Sequence, residues 1–436
     1  MTEITPIRTQ AETQLLGYLR EQRPGLPDGD GSVIGRAVAA ARLERDGLPN
    51  RRVEEWKYTD LRALLREAAA PAARPSESEI AAARARARLF ADVAAVRIDF
   101  VNGHLAGHDA APEGVAVIGL AQALAEAHPA LSNLNRVTVA AGNAAYDLNR
   151  AFLSDGVVVH VAAGREVAAP LHLRFVNHGT ASFATAPRVL VVLDKGAALT
   201  VIESHEGDIA VQPNSVVEFV LDDDARVEHV RVNAEAAQTL ALSTVTAAVG
   251  ARAAFRSVNL HAGAAVVRHQ LFIACEGEDA RVTLGGVTVI AGGDHADTTL
   301  VVDHAVPGGE SRELFKTVVG GEARGVFQGK IIVRPDAQKT DGRMMSAALL
   351  LSPDATMNNK PELEIWADDV QCAHGATCGE LDAELLFYLM ARGLPREEAQ
   401  ALLLQAFIGE ALELVTDDAL RAAMNSLAVE RLAILA

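Results

Sequence analysis

The chain has 436 residues, half of them hydrophobic, with 57 acidic against 40 basic side chains and a formal net charge of −17. That much apolar material can bury a large core, in one extended body or two to three compact domains. The acidic balance argues against nucleic acid or an anionic membrane surface as partner, and three cysteines are too few for a disulfide framework and fit a reducing cytoplasm.

The opening stretch, MTEITPIRTQAETQLLGYL, lacks a basic start followed by an apolar run, so no secretory signal is expected. No apolar run reaches the roughly 18 residues that a membrane span needs. Residues 1–94 read as a helical region. AVAAA at 37–41 is helix-compatible, and Leu61, Leu64 and Leu65 fall at helical spacing. Pro71 and Pro75 mark a linker, after which Ser76 and Glu79 form a capping-box start for a helix carrying Arg84, Arg86 and Arg88. These arginines are flanked by acids and read as a solvated face rather than a basic patch.

Residues 95–378 read differently. Short runs rich in Val, Leu, Ile and Thr, such as GVVVHV at 156–161, RVLVVL at 188–193 and KIIV at 330–333, alternate with Gly, Asp and Asn, while helix signals nearly vanish. Four of the runs recur: AALTV from Ala197, ARVEH from Ala225, AAFRS from Ala253 and ARVTL from Ala280, spaced 28, 28 and 27 residues apart. Near-constant spacing without intervening helices points to a solenoid of several short strands per coil, a parallel β-helix. An antiparallel sandwich is the alternative. The pairs Gly285-Gly286, Gly292-Gly293, Gly308-Gly309 and Gly320-Gly321 lack the Gly-Lys-Ser/Thr ending and the following helix of a phosphate loop, and are expected at the coil corners.

Residues 379–436 return to a helical pattern. Asp382 caps a helix that stops at Arg392-Gly393, Pro395 opens a second, and Thr416 or Asp417 starts a third. Such helices can cover the open ends of a β-helix or dock a partner.

The chemistry concentrates late in the chain. Cys372, His374 and Cys378 lie within seven residues, a set able to bind iron or a cluster. On an extended segment Cys372 and His374 project to one face, although both can equally fill the interior of a last coil. Cys378 and Cys275 read as core residues. Glu362, Glu364, Asp368 and Asp369 offer oxygen ligands, yet Glu362 and Glu364 alternate with apolar residues as on the solvated side of a strand. His295, Asp297, Asp303 and His304 form a second cluster whose spacing does not bring the side chains together, so a polar ladder is expected there.

RRVEEWKYTD at 51–60, ARGVFQGKI at 323–331, AQKTD at 337–341, KPELEIWADD at 360–369, QCAHGAT at 371–377, LFYL at 386–389 and Arg392-Gly393 together resemble the SUF iron–sulfur cluster assembly family. Within it the chain is similar to the SufD branch more than to SufB, because WKYT falls near residue 56 and the clustered-cysteine insertion of many SufB chains is missing. The resemblance implies a right-handed parallel β-helix flanked by helical regions, acting as a non-catalytic scaffold. It implies a SufB-like subunit paired through the β-helix and a SufC-like ATPase docked on the C-terminal helices, where the turn at Arg392, Gly393, Leu394 and Pro395 lies. It places iron or a nascent cluster transiently at His374, with Cys372 beside it, at the junction with the SufB-like subunit. Cys378 departs from the family, which often has an apolar residue there. An exposed pairing surface also makes a homodimer of the isolated chain an expectation. The alternatives are a SufB-like scaffold and a β-helix carbohydrate-active enzyme. The second lacks aromatic platforms, with two Trp and four Tyr, and an acid–base carboxylate pair.

Overall fold

The computed structural model describes residues 8–22, 33–433 and 435, so the first seven residues of the opening stretch lie outside the described residues. Its body is a parallel β-solenoid built from two facing sheets. One sheet runs from the antiparallel pair His104–His108 and Val96–Val101 through Leu171–Asn177, Ala198–Gly207, Arg226–Ala234, Ala254–His261, Arg281–Ile290, Glu310–Val319 and Asp341–Leu350 to Gln371–Gly379. The facing sheet runs from Val115–Gly119 through Asp155–Val161, Pro187–Leu193, Gln212–Leu221, Leu240–Val249, Val266–Cys275, His295–His304 and Arg324–Val333 to Thr356–Ile365.

Each coil therefore holds two strands of about ten residues rather than several short ones. Ala198, Arg226, Ala254, Arg281, Glu310, Asp341 and Gln371 occupy equivalent register positions, so the repeat continues at intervals of 28, 28, 27, 29, 31 and 30 residues. The sequence marker fades after Ala280 because the preceding small residue gives way to Gly309, Thr340 and Val370 as the corners lengthen. Ala197, Ala225, Ala253 and Ala280 are fully buried at the tight corners, where a larger side chain has no room.

Two sequence expectations need correction. The strand-rich zone is interrupted by helices at Leu120–Ala125 and Ala144–Phe152. The second starts where the Asn143 side chain accepts hydrogen bonds from the Ala145 and Tyr146 N–H groups, and packs Ala145 and Leu148 against Leu242 of the facing sheet. The glycine pairs are also not all corners. Gly292, Gly308 and Gly321 take positive φ in turns, but Gly285 and Gly286 lie inside a strand. A Cβ at Gly285 would fall 2.7 Å from Leu414, and one at Gly286 would fall 2.7 Å from Phe315. Close packing on both faces of the sheet, rather than backbone conformation, requires glycine there.

The C-terminal helices Arg396–Leu412 and Asp418–Leu432 do not cover an end of the solenoid. They lie along the outer face of the first sheet, where Leu404, Ile408, Leu412, Val415, Leu420 and Met424 bury against Val230, Val232, Val258, Leu260, Val287 and Val289. Lys316 Nζ to Glu410 at 2.7 Å and Arg256 to the Leu414 carbonyl at 2.7 Å fasten the contact. On the opposite outer face the segment around Trp56 is stitched down. The Arg268 guanidinium lies 3.8 Å over the Trp56 ring, donates to the Glu55 carbonyl at 2.7 Å and pairs with Asp297, which also accepts from Thr59.

The space between the sheets is apolar at one side, with Phe100, Phe175, Phe219, Phe255 and Phe327 in a continuous cluster. The other side is polar. Glu203 accepts from Arg231 Nε at 3.1 Å and from His229 at 3.0 Å, and also bonds His205. Burial opposes its charge, but Arg231 and the two histidines outweigh it and hold the carboxyl well below the usual range. Burial holds His261 and His269 well below the usual imidazole pKa. Among the described residues no helix is long and apolar enough to cross a membrane.

Candidate functional site

The last coil is left open. Among the described residues, Thr356–Ile365 pairs only with Arg324–Val333, and Gln371–Gly379 pairs only with Asp341–Leu350. Each strand therefore carries one edge of unpaired backbone donors and acceptors, a template for another chain. Neither strand has a fully buried residue, in contrast to the coils before them. Ile365 and Trp366 are exposed beside this edge.

Cys372 and His374 sit on the final strand with Cys372 opposite Gly342 and His374 opposite Met344. Cys372 is half-buried and packs on the end of the interior cluster. Burial raises its thiol pKa, Gly342 N–H opposes that rise, and the negative charges of Asp341 and Glu313 add to it. A neutral thiol at a rim becomes a ligand when an arriving metal displaces its proton to solvent. His374 is exposed, so its imidazole addresses solvent or a partner directly. Cys378 is exposed rather than a core residue, because among the described residues no further coil stacks on the final strand; Cys275 is fully buried, as expected.

The remaining sequence candidates are occupied elsewhere. Glu362 pairs with Lys360 at 3.1 Å, Glu364 with Lys330 and Asp369 with Lys339. His295 bonds Thr59 at 2.9 Å and Asp303 pairs with Arg334 at 2.8 Å, while His304 bonds Ser311 at 3.1 Å. That cluster is split between the two faces of one strand and is a polar ladder. Among the described residues no three His, Cys, Asp or Glu side chains converge on a metal-sized space. Cys372 and His374 together offer two donor atoms, fewer than a closed coordination shell needs.

A second surface adjoins the turn expected to dock a partner, and its apolar helix face was not singled out from the sequence. The helix Ala383–Ala391 buries Leu386 but exposes Leu385, Phe387, Tyr388 and Met390. Its N-cap, Asp382, accepts from Glu384 and Leu385 N–H. It ends at Arg392, whose guanidinium lies 5.1 Å from the Tyr388 ring centroid, and at Gly393 with φ 96°. Arg392, Gly393 and Pro395 are exposed and Leu394 is half-buried in the turn. Four large apolar side chains on one short helix form the kind of contiguous patch that marks a protein interface.

Comparison with known proteins accounts for nearly the whole chain. Residues 175–407 match the family model for the SUF system FeS cluster assembly SufBD core domain, and residues 9–173 match that for the SufBD protein N-terminal region. The chain is 31% identical over 417 residues to an iron-sulfur cluster assembly SufBD family protein of Synechocystis sp., covering 91% of each chain. It is 31% identical over 391 residues to the iron-sulfur cluster assembly protein SufD of Escherichia coli, covering 87% of this chain and 88% of that one. A SufBD family protein of Pyrococcus horikoshii is 29% identical over 263 residues, covering 59% of this chain and 58% of its own. The chain belongs to the SufBD family, as a SufD-like protein of SUF iron–sulfur cluster assembly.

Proposed function

We propose that this chain is a non-catalytic scaffold subunit that presents the open coil to a SufB-like subunit in the cytoplasm, where iron or a nascent cluster is held transiently between the two chains. The observation that carries this reading is the unpaired final coil with a half-buried thiol and an exposed imidazole at its rim. Two donors are too few for a closed site but suit a shared one, because cargo held by an incomplete shell leaves readily. The same edge makes a homodimer of the isolated chain the default in the absence of that partner. A SufC-like ATPase docks on the apolar helix Ala383–Ala391 and the turn at Arg392, Gly393, Leu394 and Pro395, and its motion reaches the coil through the short connection from Gly379.

The test is His374→Ala in a complex reconstituted with SufB-like and SufC-like subunits. The complex should assemble as before, since the imidazole supports no fold contact, while iron retained and cluster formed fall at least tenfold. Unchanged cluster yield would remove His374 from the site. Cys372→Ser separates the thiol's share, with a smaller loss expected.

A further inference from the structure

The polar side of the solenoid interior contains an unusual concentration of unsatisfied atoms, far from the open coil. Among the described residues, His261 has no hydrogen-bond partner at either ring nitrogen, and His269 has none at Nε2. Asn233 Oδ1, Asn259 Oδ1 and Arg231 Nη1 are also without partners. All five side chains are at most 1% exposed. Buried polar groups are almost always satisfied, so a cluster of orphans marks a missing occupant.

The register brings these atoms together. Asn233 and His261 are direct neighbours on adjoining strands, as are Arg231 and Asn259. All four alternate with the outward-facing Val230, Val232, Val258 and Leu260, so they point inward. His269 reaches the same space from the facing sheet, where it alternates inward with Leu271. The His261 and His269 ring centroids lie 5.4 Å apart with planes at 67°, a separation at which two imidazoles can share one metal ion.

Hydrogen bonds on the far side of each group fix which atoms are free. Asn233 Nδ2 donates to Glu235 at 2.8 Å and Asn259 Nδ2 donates to the Gly285 carbonyl at 3.1 Å, which turns both amide oxygens into the space. Ser243 Oγ holds His269 Nδ1 at 2.8 Å, the outer bond that metal-ligating histidines usually make. One ring nitrogen each of His261 and His269 and the two amide oxygens offer lone pairs to the space, while the second His261 nitrogen and Arg231 Nη1 are its free donors. Glu203 is engaged by Arg231, His205 and His229, and Glu235 accepts from Asn177 and Asn233, so both carboxyls are already partnered at the edge of the space. Two imidazole nitrogens and two amide oxygens aimed at one space suit a cation rather than an anion.

We infer that the solenoid interior holds a site for a divalent first-row transition metal, with His261 and His269 as nitrogen ligands and the amide oxygens of Asn233 and Asn259 completing the set. Imidazole and amide oxygen together suit zinc, iron(II) or cobalt(II). Closed sheets on both sides mean that the ion enters as the chain folds. The site is separate from Cys372 and His374 and stands whether or not those residues hold cargo.

The test uses cobalt(II) as probe, with the full chain expressed in cobalt-supplemented medium and purified without chelator. One cobalt per chain with visible d–d bands is expected, retained in Cys372→Ser/His374→Ala and reduced at least tenfold in His261→Asn and in His269→Gln. If either histidine variant fails to fold, an anomalous difference map of the wild-type chain decides: a peak between the two rings supports the site. Absence of stoichiometric cobalt, a peak confined to Cys372 and His374, or ordered water alone between the rings overturns it.

Discussion

Glu313 provides the sharpest energetic test of this fold. It lies on an interior position between Leu284 and Met344, both in the apolar cluster, and neither carboxylate oxygen has a hydrogen-bond partner. Ser311 and Arg312 moderate its environment without satisfying it, and Ser311 Oγ is engaged by His304. Burial raises the carboxyl from its ordinary 4.5 up to about 8. The folded chain therefore keeps a proton that the unfolded chain has lost over the window from about pH 4.5 to 8. Stability falls through that window as pH rises, by about 1.4 kcal/mol per unit. At pH 7 the accumulated cost is about 3 kcal/mol, and above pH 8 it levels near 5 kcal/mol. Glu313→Gln keeps the shape and removes the ionisation, so urea denaturation should find it about 3 kcal/mol more stable than wild type at pH 7. The advantage should shrink towards zero near pH 5. Parallel pH profiles for the two proteins would refute a buried, unpartnered carboxyl.

Three further outcomes follow from the packing. Trp56→Ala removes a fully buried ring from beneath Arg268, and should cost about 3–5 kcal/mol and open residues 51–60 to limited proteolysis. Phe387→Glu alters a side chain that is 72% exposed, so stability should stay within about 0.5 kcal/mol while capture of a SufC-like ATPase is lost; retained capture places docking elsewhere. Deleting residues 394–436 strips the cover from Val258, Leu260, Val287 and Val289. At about 1.5–3 kcal/mol per large side chain, losing the helices' six buried anchors removes roughly 10–15 kcal/mol, comparable with a whole domain's net stability. The truncated chain should aggregate, as light scattering would show; a soluble, cooperatively melting product would contradict the packing.

The coil repeat was legible because a tight corner admits only a small residue, and Ala197, Ala225, Ala253 and Ala280 record that constraint directly. Capping chemistry was equally visible: Ser76 with Glu79, Asp382 and Asp417 each accept from the helix N–H groups expected. The placement of the C-terminal helices was not legible, since the apolar stripe of a helix reveals that it packs but not against which sheet. Gly285 misled for the same reason, its cause being a leucine 129 positions away in the chain. At the candidate site, Cys372 and His374 were named from residue type and spacing, and the structure adds their place on the unpaired final strand. The interior orphans were missed because His261, His269, Asn233 and Asn259 are scattered through strands of unremarkable composition. Only the fold brings them to one space between the two sheets, and only the count of unmet hydrogen bonds distinguishes them from a satisfied core.

A rod assembled coil on coil has graded rigidity, since each rung is braced by the rung on either side. The rung bearing Cys372 and His374 has a neighbour on one side alone. Its amides should therefore exchange with deuterium fastest among the strands, and slow most when a second protein supplies the missing brace. Under the proposed function, ligand geometry at the rim is set at the moment of association rather than by this chain in isolation, which couples loading and release of cargo to how tightly the two rods are joined.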